Sequence, residues 1–252
     1  MKVGICDWGI GGLGIYKLLK TQTNWDLCYF SDAGFTPYGK VSPEQLFKRW
    51  QQIELFFETQ EVDVIIVGCN ALGTIVPAAD KTFNILTQGI NHIDISKNKC
   101  LGVTGGYRTI ESQLFQNKGN ARGIEVTTSV GQLLSAHIES GDTFSNKFIT
   151  DVKTVFTPFK TESEVILACT HYPSIIEEIN FFFPNLILID PAVALSKLMF
   201  SKFNSEIGNQ KSEFYTTGNS FDFVKLGNKA FKVKLTYCNS LILGDLTPTN
   251  HN

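Results

Sequence analysis

The chain has 252 residues, 43% of them hydrophobic, enough for one large α/β domain or two smaller ones around a sizeable core. Its 22 basic and 24 acidic residues leave a formal charge of −2, a balance with no electrostatic footprint for nucleic acid or an anionic membrane. The 6 cysteines are dispersed and contain no C-x-x-C, which argues against a dense disulfide framework and gives no zinc or thioredoxin-like signature.

In chain order, residues 3–6 predict a buried strand closed by Asp7, and a glycine-dense turn from Gly9 to Gly14 leads into a helix over 15–20. A second strand covers 27–30, and a loop containing Pro37 follows over 31–39. Ser42-Pro43-Glu44-Gln45 combines a serine cap, a first-turn proline and a glutamine three residues after the cap. Leu46, Trp50, Ile53 and Phe57 then recur at helical spacing. A strand over 64–67 precedes a helix over 71–79. Beyond a polar break at 96–99 come a strand over 101–104, a helix over 109–116, a strand over 124–128 and a helix over 131–139. A polar connection at 141–146 precedes a helix and then the strand that begins at Val165. A helix from Ser174, a strand over 186–189 and a helix from Val193 complete the alternation, and the tail from Thr247 reads as disordered. Strands alternating with helices at this spacing specify parallel α/β sheets. The most apolar stretch, 62–79, holds Asp63, Asn70 and Pro77 and is too broken to cross a bilayer. With Asp7 inside the first apolar run there is no signal-peptide pattern, so a reduced, cytoplasmic enzyme is expected.

Two of the strands end alike. Ile65-Ile66-Val67-Gly68-Cys69-Asn70 and Val165-Ile166-Leu167-Ala168-Cys169-Thr170-His171-Tyr172-Pro173 each run from apolar residues through a small one to a cysteine and then a polar side chain. A single free cysteine is usually inert packing. Two thiols, each ending a buried strand in a different half of the chain, point instead to chemistry at the carboxyl ends of parallel strands. The echo suggests two similar α/β units with a ligand in the cleft between them. Thiols facing one carbon from opposite sides can take a proton from one face and return one to the other, with no cofactor required. Asp7 and His171 are the available partners for setting the protonation state of Cys69 and Cys169, and strand periodicity places Cys169 and His171 on one side.

Cys-Asp-Trp-Gly-Ile-Gly-Gly-Leu (6–13), Thr-Pro-Tyr-Gly-Lys (36–40), Gly-Cys-Asn (68–70) and Ala-Cys-Thr-His-Tyr-Pro (168–173) resemble the aspartate/glutamate racemases, and glutamate racemases above all, in order and spacing. Weaker echoes at 109–112, 188–190 and 214–218 extend the likeness over nearly the whole chain. The resemblance implies a cofactor-independent racemase in which Cys69 and Cys169 serve as base and acid, assisted by Asp7 and His171. It implies that Trp8, Tyr38, Gly39, Asn70, Ala71, Thr109 and Thr170 bind the substrate, a small acidic amino acid. It further implies two similar parallel-sheet α/β domains with the active site between them: 1–95 plus 210–252 as the first, 96–209 as the second, with the region of Phe214 returning to the first. A homodimer is compatible with the family. Three positions depart from its pattern: Trp8 stands in place of serine, Ala71 in place of threonine, and Gly106 where threonine is common. A bulkier Trp8 and two missing hydroxyls point to an acidic amino acid smaller than glutamate, or held differently from it.

Three rival readings arise. Gly9-x-Gly11-x-x-Gly14 fits the dinucleotide fingerprint, with Asp32 near the distance of a ribose-binding acid, and so suggests an NAD-dependent oxidoreductase. Against it, Asp7 just before the glycines is a poor neighbour for a pyrophosphate. A hydrolase built on Cys169 and His171 alone leaves Cys69 without a role. A binding protein that kept the scaffold but lost catalysis has no reason to keep both thiols. His92, His137, His171 and His251 are scattered with no ligand pair at helical spacing, so no metal site is expected, and all but His171 read as surface or capping residues. Phe181, Phe182 and Phe183 read as core packing, with a subunit contact as the alternative.

Overall fold

The computed structural model describes residues 1–159 and 164–243. The tail from Thr247, including His251 and the end of the 210–252 segment, lies outside the described residues.

The first sheet takes β1 (Lys2–Asp7), β2 (Asp26–Ser31), β3 (Val64–Val67) and β4 (Thr82–Asn84) from the first third of the chain, and β9 (Ser212–Thr216) and β10 (Asn239–Ser240) from its end. Its six strands lie in the order β10-β9-β2-β1-β3-β4, and every pairing is parallel. The second sheet is built from β5 (Cys100–Gly105), β6 (Glu125–Val130), β7 (Glu164–Ala168) and β8 (Ile187–Ile189), ordered β6-β5-β7-β8 and again all parallel. The molecule is therefore two α/β domains. In an open parallel sheet the ligand crevice opens beyond the carboxyl ends of the strands where chain order reverses. Those points are β1/β3 in the first sheet and β5/β7 in the second. Asp7 ends β1, Cys69 follows β3, and Cys169 follows β7.

Because helices cover parallel sheets on both faces, their strands are near-continuous apolar runs. Val3, Ile5, Cys6, Ile66, Val67, Val165, Ile166 and Leu167 are all buried accordingly. The helices follow local signals. α1 (Leu13–Gln22) starts straight from the glycine turn. α2 (Pro43–Thr59) starts at the capping box, with Ser42 Oγ accepting from Gln45 N and Gln45 Oε1 accepting from Ser42 N, both at 3.2 Å. It buries Leu46, Trp50, Ile53, Phe56 and Phe57 against Phe30 and Val67. Each such side chain taken from water stabilises the fold by about 1.5–3 kcal/mol.

The structure departs from the sequence expectation at several elements. The helix expected over 71–79 is the short α3 (Asn70–Gly73). Asn84 ends it by donating from Nδ2 to the carbonyls of Gly73 (2.9 Å) and Val76 (2.6 Å), so the chain turns and adds β4 instead. α4 (Ile85–Ile95), capped by the same Asn84, was not anticipated. The helix expected over 109–116 is two, α5 (Tyr107–Glu111) and α6 (Leu114–Arg122). Gln113 between them is left-handed at φ 57°, and Ser112 Oγ donates to Thr109 O at 2.7 Å, a local bond that competes with the helix ladder. α7 (Gln132–Ser140) and α8 (Asn146–Phe156) follow β6. After β7 comes a 3₁₀ turn over Tyr172–Ile175, then α9 (Ile176–Phe182), α10 (Pro191–Phe203) and α11 (Ser220–Phe231). Phe182 and Phe183 pack against the core, but Phe181 is 79% exposed. His137 is a buried residue rather than a surface one, held by Asp151 at 2.8 Å and Asp142 at 3.4 Å. Among the described residues no helix is long and apolar enough to cross a membrane.

Candidate active site

One cavity of about 580 Å³ opens between the carboxyl ends of the two sheets. It is lined from the first domain by Asp7, Trp8, Tyr38, Gly39, Cys69, Asn70 and Ala71, and from the second by Thr109, Cys169, Thr170 and His171. Every residue singled out in the sequence for chemistry or binding thus meets the same space.

On the first-domain side, Cys69 closes β3 and starts α3. Burial raises its thiol pKa well above the ordinary value, and the neighbouring Asp7 carboxylate adds to the rise. Asp7 is itself buried; its Oδ1 accepts from Gly9 N at 3.1 Å and its Oδ2 from the Thr170 hydroxyl at 2.8 Å. Burial lifts its pKa as well, with His171, Thr170 and Gly9 offsetting part of the rise. A raised carboxylate is a stronger base than an exposed aspartate and better matched to a thiol.

On the second-domain side, Cys169 Sγ lies 3.6 Å from His171 Nδ1. The other ring nitrogen, Nε2, meets Glu139 Oε1 at 2.6 Å. The same carboxylate oxygen accepts from Ile10 N at 2.7 Å. Burial alone drives an imidazolium toward neutrality, yet the pKa of His171 is raised well above the ordinary value, because Cys169 and Glu139 both favour its charged form. A protonated His171 donates Nε2–H to Glu139 and points Nδ1–H toward the Cys169 sulfur. The glycine turn makes this approach sterically possible. A Cβ on Gly9 would fall 1.8 Å from Glu139 Oε1, and one on Gly11 would fall 2.5 Å from Thr170 Oγ1 and 2.7 Å from His171 Nδ1. The glycines therefore serve contact between domains. The dinucleotide reading loses its physical basis: the Gly9 and Ile10 amides are taken by carboxylates. Asp32 is also fully buried, in a two-pronged ion pair with Arg49 at 2.8 and 2.6 Å.

In the same cavity, Asn70 presents an amide whose nitrogen and oxygen have no protein partner although the side chain is only 3% exposed. An unpaired buried amide costs about 1–3 kcal/mol, a cost that a polar ligand removes. Thr109, buried as well, lines the same cavity. Tyr38 lines the cavity while its hydroxyl donates away from it, to Asp32 Oδ2 at 2.8 Å. Thr217 also donates to Asp32, at 2.9 Å, so the carboxylate anchors the start of the Tyr38–Lys40 turn. Trp8 donates Nε1–H to Phe35 O at 2.9 Å, which holds its indole against the pocket wall.

Sequence reading missed the lining residues of α7, among them the polar Gln132, Ser135 and Glu139. These polar residues sit three or four apart, and so share one helix face. That spacing was the available signal, but nothing in the sequence says that α7 faces the cleft. Among the described residues no group of three or more His, Cys, Asp and Glu side chains is placed to hold a metal ion.

No protein-family model matches the chain. It is 29% identical over 228 residues to a glutamate racemase of Hydrogenobaculum, covering 86% of this chain and 88% of that protein. Its fold superposes on a glutamate racemase from Francisella tularensis, solved in complex with D-glutamate, with a TM-score of 0.86 at 27% identity over 97% of this chain and 98% of that one. It also superposes on the glutamate racemase from Aquifex pyrophilus, with a TM-score of 0.75 at 27% identity over 95% of this chain and 98% of that one.

Proposed function

The chain belongs to the aspartate/glutamate racemase family, on its glutamate racemase side, and from that premise we propose that it interconverts the L- and D-enantiomers of an acidic amino acid by two-thiol proton transfer. The observation that carries the reading is the meeting of Cys69 and Cys169, from the switch points of two separate sheets, in one cavity. One sulfur, as thiolate, takes the α-proton and becomes a thiol. The electron pair left on the α-carbon is delocalised into the α-carboxylate. The other thiol then delivers its proton to the opposite face and is left as thiolate, so the substrate is inverted with no net gain or loss of protons. Asp7 and His171 restore the starting protonation of Cys69 and Cys169. Asn70 and Thr109 offer neutral donors to the substrate's carboxylate and acceptors to its ammonium, and Thr170 orients Asp7.

Substrate contact by Trp8, Tyr38, Gly39 and Ala71 belongs to the same proposal. So do the division into 1–95 plus 210–252 and 96–209, a cytoplasmic location and a homodimeric assembly. With an indole where the family carries a serine, aspartate is the favoured substrate. The test is incubation of the purified protein with L-aspartate and L-glutamate in heavy water without added cofactor. The expected result is deuterium at the α-carbon and accumulation of the D-enantiomer. If neither amino acid exchanges or inverts, the racemase assignment fails and a binding protein takes its place.

A further inference from the structure

Arg108 touches neither thiol and does not line the cavity, yet it makes a direct side-chain tie across the mouth of the cleft. It stands on α5, in the second domain, one residue before Thr109. Its guanidinium reaches the first domain and donates from Nε to Tyr38 O at 2.9 Å and from a terminal nitrogen to Val41 O. These carbonyls bracket Gly39 and Lys40 in the turn that forms the far wall of the cavity. One planar fork that holds two carbonyls three residues apart fixes the turn in a way that a point charge cannot.

The rest of the second domain's edge is shaped for the same contact. Gln132 lies alongside, with Nε2 donating to Ser135 Oγ at 3.2 Å, and its Oε1 turned toward the turn, 3.6 Å from where a Cβ on Gly39 would stand. Gly106 leaves room for that amide: a Cβ there would fall 2.7 Å from Gln132 Oε1. From the first-domain side, Asp32 holds the turn by the Tyr38 hydroxyl.

We infer that Arg108 is a positioning residue for the reaction, a latch from the second domain that sets the Tyr38–Lys40 turn against the far end of the bound amino acid. The inference rests on the racemase reading for its kinetic consequence only. The turn is remote from the α-carbon, so its contacts act alike on bound substrate and transition state. Their loss raises KM and leaves kcat nearly intact.

The experiment compares Arg108→Ala and Arg108→Lys with the wild-type chain. For Arg108→Ala, KM for the acidic amino acid should rise about tenfold or more, as expected for one lost charge-assisted hydrogen bond, with kcat within about threefold. Guanidinium ion at non-denaturing concentration should bring KM back in the alanine variant and do nothing for the lysine variant, which should fall between the two. Amide hydrogen exchange over residues 38–41 should accelerate in Arg108→Ala, a readout that needs no substrate. An unchanged KM would overturn the inference, and so would a raised KM that guanidinium does not rescue while exchange at 38–41 stays slow. Should the alanine variant fail to fold, the lysine variant carries the same comparison. If the wild-type chain racemises nothing, the functional proposal falls while the exchange measurement still decides the latch.

Discussion

Replacing Glu139 by glutamine keeps the length and one acceptor of the side chain but removes its charge. One oxygen of Glu139 takes both His171 Nε2, at 2.6 Å, and Ile10 N, at 2.7 Å. A hydrogen bond to an ionised group is worth about 1.5–3 kcal/mol, against about 1 for a neutral pair, so the change removes roughly 1–2 kcal/mol of support for the imidazolium. The pKa of His171 should fall, because burial then pulls it down against Cys169 and only a neutral acceptor at position 139. The assay is kcat/KM against pH, followed by circular dichroism for each enantiomer. The limb that reports His171 should move toward acid, and kcat/KM at the optimum should fall about tenfold. By mirror symmetry the equilibrium constant of racemisation is unity, so kcat/KM must fall equally in both directions. Only the wash-in of solvent deuterium can show that the second-domain side was hit. A pH profile that stays in place, with kcat/KM within about threefold of wild type, would refute the reasoning and reduce Glu139 to a tie for Ile10 N.

Changing either Cys69 or Cys169 alone to alanine should abolish racemisation; a chiral assay that found the Cys69 variant active would favour a single-nucleophile enzyme. Asp7→Asn should end activity but raise the melting temperature. Burial raises the folded pKa of Asp7, so ionising it costs stability as pH climbs from the ordinary aspartate value through the folded one. The gain, about 2–4 °C per kcal/mol for a chain of this size, should be present at neutral pH and vanish below about pH 4; calorimetry at both pH values checks the sign. Trp8→Ser should shift the ratio of kcat/KM for glutamate over aspartate about tenfold toward glutamate, the worth of one methylene in a pocket. An unmoved ratio would make the indole wall packing alone.

The strand ends were legible because they carry chemistry and periodicity together: an apolar run broken at Cys69 or Cys169 has one reading as an α/β strand and one as a site. The capping box of α2 was legible because it is local. What the sequence hid depends on which strands become neighbours. Thr82–Asn84 is too short to show a period, and it joins the sheet because Asn84 binds the end of α3. Glu139 looks like one more surface acid until α7 is seen to lie over the glycine turn. The glycines misled for a related reason. Gly9-x-Gly11-x-x-Gly14 records a close approach, and a sequence does not say whether a phosphate or another domain does the approaching.

The acid–base groups are anchored across the cleft. Asp7 belongs to the first domain, and its Oδ2 is oriented by Thr170 of the second. Glu139 belongs to the second, and its oxygen is held by Ile10 N of the first. Arg108 spans the same gap to Tyr38 O. Separating the domains would expose these groups to water, and water would replace each partner, so the net bias of each bond toward closure is only about 0.5–3 kcal/mol. Asn70, an amide with no protein partner, adds to the same cleft a buried polar group that a polar ligand can pair. Burial raises the pKa of both Cys69 and Asp7 at the first-domain wall of that cleft. The groups proposed to move protons are thus held jointly by both domains, so a change on either side of the cleft reaches the partner group on the other.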